Sequence, residues 1–355
     1  MSRALRGLAA GTLPTFALLA IFEVVLRAFP DLLPMRVATA VYSVYGDKPG
    51  DIYFRDRPTR ANFMWPDYET TAYWNGYRWR HRTDALGFRN PPDLADRSLV
   101  LLGDSMIYGH GVEEEDTVAH FLRADHARGA YSGARQGDCL YQEYLVARRL
   151  LQSLRPKTLV VTTFLNDFAD LETYRKPPEI AAPAELSLDV DALEERLRHA
   201  GDDVSILSEV YRLKVWRLAV AAWDLARTRN GVAETATGAG GPPPFVLPIT
   251  DDARYAPLAH YYEVVLADLA RRARDAGTAL VLLDLDVGDA IFPDSLPAAD
   301  RVWSLIESIA RANGVPVLNT RSVFAGCQTC FLPHDGHLSR EGHQRLAAFL
   351  AARLP

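Results

Sequence analysis

The chain has 355 residues, 48% of them apolar and 24% charged, with 45 acidic side chains against 39 Lys and Arg and a formal net charge of -6. This balance excludes a disordered chain and gives enough apolar mass for one large domain or two small ones. The charges are interspersed rather than blocked, so there is no basic stripe to displace counterions from nucleic acid, and nucleic acid is excluded as a partner on that ground.

In chain order, Arg3 and Arg6 precede an uncharged run from Gly7 to Phe22, and apolar character continues past Glu23 and Arg27 to Phe29. The uncharged part is slightly shorter than the roughly 20 residues that cross a bilayer core, but Glu23 and Arg27 fall near one end, where long side chains reach the interface. Residues 1–30 read as a single transmembrane anchor. The basic residues ahead of it predict a cytoplasmic N-terminus, hence a single-pass protein of the inner or cytoplasmic membrane with its body periplasmic or extracellular. A cleaved signal peptide is the main rival, although no small-x-small cleavage site follows; a buried amphipathic helix is the third reading.

Residues 31–97 are rich in aromatic, Arg, Pro and Asp residues with weak periodicity, as in Trp74-Asn75-Gly76-Tyr77-Arg78-Trp79, and read as an irregular lead-in with short strands. From Ser98 the texture changes. Residues 98–102 form an apolar run ended by Gly103, which fits a strand buried on both faces. A helix is expected from Thr117, another over 141–154, and a second buried strand over 158–164. An insertion follows at about 175–250: a stretch with Pro177, Pro178 and Pro183, an amphipathic helix over 203–229, and a Gly/Pro loop over 230–247. Arg212, Lys214 and Arg217 make that helix a poor span. The insertion either caps an active site or decorates the surface. Helix 256–276, strand 278–285, helix 301–313, strand 315–318 and helix 340–353 complete the chain. Strand and helix in alternation predict crossover connections, so 98–355 reads as a three-layer α/β/α domain around a central parallel sheet.

Three cysteines, Cys139, Cys327 and Cys330, are too few for a disulfide scaffold. For Cys327-Gln-Thr-Cys330 a local disulfide bracing a loop comes first, a redox pair next, and zinc last, because a four-ligand site usually needs a second pair. Cys139 reads as a packing residue. No cluster or Gly-rich phosphate loop indicates a metal or nucleotide cofactor.

The chemistry concentrates at two places. Leu102-Gly103-Asp104-Ser105 sets a serine just after a buried strand, where the chain turns and helix N-terminal amides can meet the charge that grows on an attacked carbonyl oxygen. Asp335-Gly336-His337 lies before the last helix; residues two apart on extended backbone point to one side, so Asp335 can orient His337 as the base for Ser105. Asp104 and Asp167 read as structural hydrogen-bonding groups, and His334 and His343 as fallback bases.

Together these fragments resemble blocks one and five of the SGNH, or GDSL-like, hydrolase family. The middle blocks are also filled, by Gly137 in Ala134-Arg135-Gln136-Gly137-Asp138 and by Asn166 in Phe164-Leu165-Asn166-Asp167-Phe168. With Asp84-Ala85-Leu86-Gly87-Phe88-Arg89, Tyr108-Gly109, Gly111-Val112 and Glu115-Asp116-Thr117, the chain looks like a bacterial branch with an N-terminal membrane anchor. The resemblance covers roughly 84–170 and 255–353 but not the insertion. It implies a flavodoxin-like three-layer fold and an oxyanion hole made by the N–H groups of Ser105 and Gly137 and the side-chain amide of Asn166, each donor worth about 3 kcal/mol. Two features depart from the family pattern. The spacing is Asp-x-His rather than Asp-x-x-His, as in relatives that acetylate alginate, with Leu338 where those carry Trp; and Ser132 stands where block two often has Asn.

The resemblance implies acyl transfer through Ser105, without a cofactor. Hydrolysis comes first: a serine esterase removing acyl groups, above all acetyl, from an extracytoplasmic carbohydrate or another ester. The alternative is an O-acetyltransferase modifying an exopolysaccharide or cell-envelope glycan. A reading from another class is a catalytically inactive, membrane-tethered binding or assembly protein.

Overall fold

The computed structural model describes residues 3–45, 51–200, 210–229, 253–287 and 296–355, with the side chains of the first helix from Pro14 onward. The amino-terminal part holds α1 (Arg3–Ala28), α2 (Met35–Tyr42) and four short strands, β1 (Tyr53–Arg55), β2 (Asn62–Met64), β3 (Glu69–Trp74) and β4 (Tyr77–Arg82). Next come β5 (Leu99–Leu102), α3 (Ser105–Tyr108), α4 (Val118–His126), β6 (Ala130–Ser132), α5 (Leu140–Ser153) and β7 (Thr158–Thr163). Helix α6 (Asp167–Tyr174) follows β7, and the insertion contributes α7 (Pro177–Ala181), α8 (Val190–Arg198) and α9 (Lys214–Arg229). The chain finishes with α10 (Ala256–Asp275), β8 (Ala279–Asp284), α11 (Leu296–Ala312), β9 (Val317–Asn319), α12 (Arg321–Phe324) and α13 (Arg340–Ala351).

Strands β5 to β9 form one parallel sheet in the order β6-β5-β7-β8-β9. Every residue of β5 and β7 is buried, which is why both read as unbroken apolar runs. The step from β5 to β6 goes one way and the step from β6 to β7 returns across β5. Right-handed crossovers therefore carry α4 and α5 on opposite faces. Helix α10 packs on α5, and α13 packs on α4, so both faces are covered. The strand order reverses between β5 and β7, and the crevice at the carboxyl ends of those strands is where such sheets bind ligands.

The lead-in is more regular than its composition suggests. Strands β1 and β2 pair antiparallel, as do β3 and β4, with Trp74 opposite Tyr77. The two residues between, Asn75 at φ 45° and Gly76 at φ 88°, both take the left-handed conformation of a type I′ turn. Arg89 fastens this region to the core: fully buried, it donates to the carbonyls of Gly109 (2.9 Å), Val112 (2.7 Å), Tyr108 (3.3 Å) and Arg80 (3.2 Å).

The first part of the insertion is docked rather than loose. Ile180, Val190, Leu193 and Leu197 are buried, and Arg196 grips Asp56 with two bonds of 2.7 and 3.0 Å. Helix α9 packs on α1 and α2. The expected helical residues 203–209 and the Gly/Pro loop 230–247 lie outside the described residues.

A long helix forms where the anchor is expected, with Pro14 inside it. Among the described residues, however, no helix is long and apolar enough to cross a membrane. The span expected at 1–30 is unsupported in that described part, and its first half lies outside the described side chains. The charged residues near its end are engaged within the protein: Glu23 accepts from Arg27 (2.6 Å) and from the backbone of Val215 on α9 (2.9 Å). Cys327 and Cys330 are joined in a disulfide, which displaces the redox-dithiol and zinc readings.

Candidate active site

Ser105 opens α3, a single turn at the carboxyl end of β5. A Cβ at position 103 would come within 2.6 Å of Ile107, so glycine there lets the chain fold tightly back over the turn. Asp104 caps the turn by accepting from the Met106 amide at 2.9 Å, the structural role expected of it. Gly109 at φ 82° ends it.

The loop 331–338 carries the other two residues. Phe331 and Leu338 bridge its ends, the Leu332 amide donates to the His337 carbonyl (2.7 Å), and the Ser339 amide donates to that of Cys330 (2.8 Å). The Cys327–Cys330 disulfide thus sits at the base of the loop. His337 Nε2 lies 2.9 Å from Ser105 Oγ, and its Nδ1 is hydrogen-bonded to Asp335 Oδ1. The other carboxylate oxygen, Oδ2, accepts from Asn75 Nδ2 at 2.9 Å. Partial burial opposes charge on Asp335, but the hydrogen bonds from His337 and Asn75 outweigh it and hold its pKa below the ordinary carboxylate value.

A cavity of about 460 Å³ opens beside these residues, walled by Ser105, His337, Gly137, His110, Tyr45 and Trp74 among others. His110 stacks on His337 with ring centroids 4.2 Å apart. Burial, reinforced by the neighbouring His337, pushes the His110 pKa down to about 2, so the stacked ring is neutral. A larger cavity of about 1010 Å³ lies between the end of α1 and α9; Ser105 does not line it.

The oxyanion candidates are distributed unevenly. Gly137, at φ 64°, lies on the cavity wall. Asn166 is half-buried at the start of α6 and is not part of that wall; its Nδ2 donates one hydrogen to Asp170 at 2.8 Å. Ser132 ends β6, with its backbone bonded both ways to Asn90 at 2.8 and 2.9 Å, and serves the sheet. Behind the loop lies a buried acidic group: desolvation pushes Asp104 up to about 6 and Asp138 up to about 7, the latter despite its ion pair with Arg135.

Of the fallback bases, His334 is exposed in the turn before Asp335. His343 is fully buried, accepts from the Val118 amide at 3.2 Å, and joins α13 to α4. Cys139 is buried at the start of α5. Nitrogen and oxygen atoms of His110, Asp335 and His337 lie close enough to share a metal ion, but Asp335 and His337 already bond to each other.

Sequence reasoning missed Asn75, His110, Tyr45 and Trp74. The signal for Asn75 was present, since an Asn-Gly pair between two aromatic-rich segments is the signature of a two-residue hairpin. The stacking of His110 on His337 has no sequence signal, because it joins residues more than two hundred positions apart.

The chain matches no family model and no curated protein. Among solved structures it is similar to TesA at 14% identity, covering 72% of this chain and 96% of that one with a TM-score of 0.39. It is similar to an acetyl xylan esterase, AlAXEase, at 12% identity, 72% and 100% coverage and a TM-score of 0.40. A third is the psychrotrophic esterase EstA from Pseudoalteromonas sp., at 9% identity, 72% and 96% coverage and a TM-score of 0.39.

Proposed function

We propose that this chain is an SGNH-type serine esterase that removes short acyl groups, above all acetyl, from a carbohydrate outside the cytoplasm. The observation that carries the proposal is the hydrogen-bonded path from Ser105 through His337 to Asp335, opening on a cavity of small-ligand size. Ser105 Oγ attacks the ester carbonyl carbon while its proton passes to His337 Nε2, and Asp335 steadies the imidazolium. The oxyanion is met by the N–H groups of Ser105 and Gly137, with the side-chain amide of Asn166 as third donor. The ester C–O bond then breaks and His337 returns the proton to the leaving alkoxide, leaving an acyl-serine that water opens by the same steps.

The aromatic wall supports a sugar, whose C–H faces pack on rings. The exposed apolar side chains of α1, including Phe16, Ile21 and Val24, support a tether at the membrane, and Arg3 and Arg6 ahead of them support an external body. A second reading, O-acetyltransferase, draws support from the Asp335-Gly336-His337 spacing.

The test is hydrolysis of p-nitrophenyl acetate by the detergent-solubilised full chain and by Ser105→Ala, with and without added oligosaccharides. The proposal expects turnover that the substitution abolishes; acetyl capture by the sugar would move the assignment to transferase. Absence of turnover in a well-folded protein would favour the inactive binding role.

A further inference from the structure

A further cavity, of about 470 Å³, lies between α2 and α9 and shares Tyr45 and Trp74 with the wall of the cavity at Ser105. Its remaining wall includes Arg36, Trp216, Arg217 and Asp224. We infer that this cavity is a subsite for a neutral glycan chain, holding the sugar unit next to the one whose ester faces Ser105. The inference rests on the esterase reading and narrows its substrate from a single sugar to an oligosaccharide.

The chemistry of the wall fits that occupant. A pyranose presents apolar C–H faces and a rim of hydroxyls, so it needs aromatic surface flanked by fixed donors and acceptors. Trp74 stands edge-on to Tyr45 at 6.2 Å and forms the ledge between the cavities. Trp216 is 42% exposed, with Tyr211 edge-on to it at 6.4 Å, so much of its ring is left uncovered by packing. Arg217 is held in place by bonds to Asp51 and to the carbonyls of Ser43 and Tyr211, which sets a rigid guanidinium at the rim. Two arginines and two aspartates line the cavity, a balance that favours a neutral chain over a polyanion. Tyr45 and Trp74, shared by both walls, set the two cavities side by side, so a chain whose esterified unit faces Ser105 can extend over them into this one. Helix α9 belongs to the insertion, and this gives the insertion the task of measuring chain length.

The experiment compares deacetylation of acetylated xylose, glucose and N-acetylglucosamine with that of their oligomers up to five units, using the full chain, Trp216→Ala and Trp216→Phe. The expected result is a rise in kcat/KM of about tenfold or more from monomer to trimer in at least one series, equivalent to about 1.4 kcal/mol of added binding. Trp216→Ala should erase the rise and Trp216→Phe should restore most of it. A flat length dependence in all series, or a rise that survives Trp216→Ala, overturns the subsite while leaving the esterase standing. Failure to turn over p-nitrophenyl acetate together with failure of Ser105 to react with a fluorophosphonate removes the esterase reading, and the subsite with it.

Discussion

Asn75 reaches the Asp335 carboxylate from a hairpin 260 residues away in sequence, and it is itself held by Thr39, whose hydroxyl accepts from the Asn75 amide at 3.1 Å. A hydrogen bond to a charged acceptor contributes about 1.5 kcal/mol or more, so its loss should be felt in the orientation of His337. Asn75→Gly keeps the positive φ of the turn and removes only the side-chain amide. It is expected to lower kcat about tenfold and to move the acid limb of the pH profile upward, because a carboxylate that loses a donor binds its proton more tightly. Unchanged kcat and an unchanged acid limb, in a folded variant, would remove Asn75 from the positioning of Asp335. For Asn166, as a donor to the oxyanion, the expected loss in kcat on substitution by Ala is about a hundredfold, with the thermal midpoint retained. That Ser105, His337 and Asp335 come together was legible because their placement after a strand end and before the final helix is local. Asn75 and His110 act across the fold, and no local pattern carries that.

At the scale of elements, the buried strands and their flanking helices were legible to within a few residues, since continuous apolar runs and amphipathic periods are local signals. Edge strand β6, with the sequence Ala-Tyr-Ser, is too short to show a run, and the crossing of α7 and α8 onto the core was hidden behind three prolines. The register of the lead-in against the sheet depends on a few buried cations, Arg89 above all. Arg89→Met preserves most of the side chain's bulk but strips the donors from the carbonyls of Arg80, Tyr108, Gly109 and Val112. It is expected to cost about 3 kcal/mol of stability, read as a lower urea midpoint. Since the carbonyls of Tyr108 and Gly109 lie just after Ser105, turnover should fall with it. A urea midpoint like that of the wild type would show that the lead-in is fastened elsewhere.

For the whole molecule the buried acids set a pH dependence. A carboxyl whose native pKa is raised stays protonated where the unfolded chain, titrating at about 4, has already ionised. The native state then binds more protons, so stability falls as pH rises from there through the native value. Desolvation raises Asp138 and Asp170 to about 7 and Asp284 to about 9. His81 and His343, pushed down to about 3 by burial, oppose this only below about 6.5, where the unfolded histidines protonate and acid becomes destabilising. The thermal midpoint is therefore expected to fall between pH 6.5 and pH 8.5; a flat or rising midpoint would mean that these carboxyls are ionised in the native state. None of this was legible in the sequence, because burial of a given acid follows from the closed fold and not from its neighbours in the chain.

All the chemistry proposed for the site follows from Ser105 being a nucleophile activated by His337 and Asp335. Treating the full chain with a fluorophosphonate and locating the adduct by peptide mass spectrometry tests it directly. A single adduct on Ser105, lost in His337→Ala, is expected; a folded protein that stays unmodified, or that is modified at another serine, would contradict this assignment.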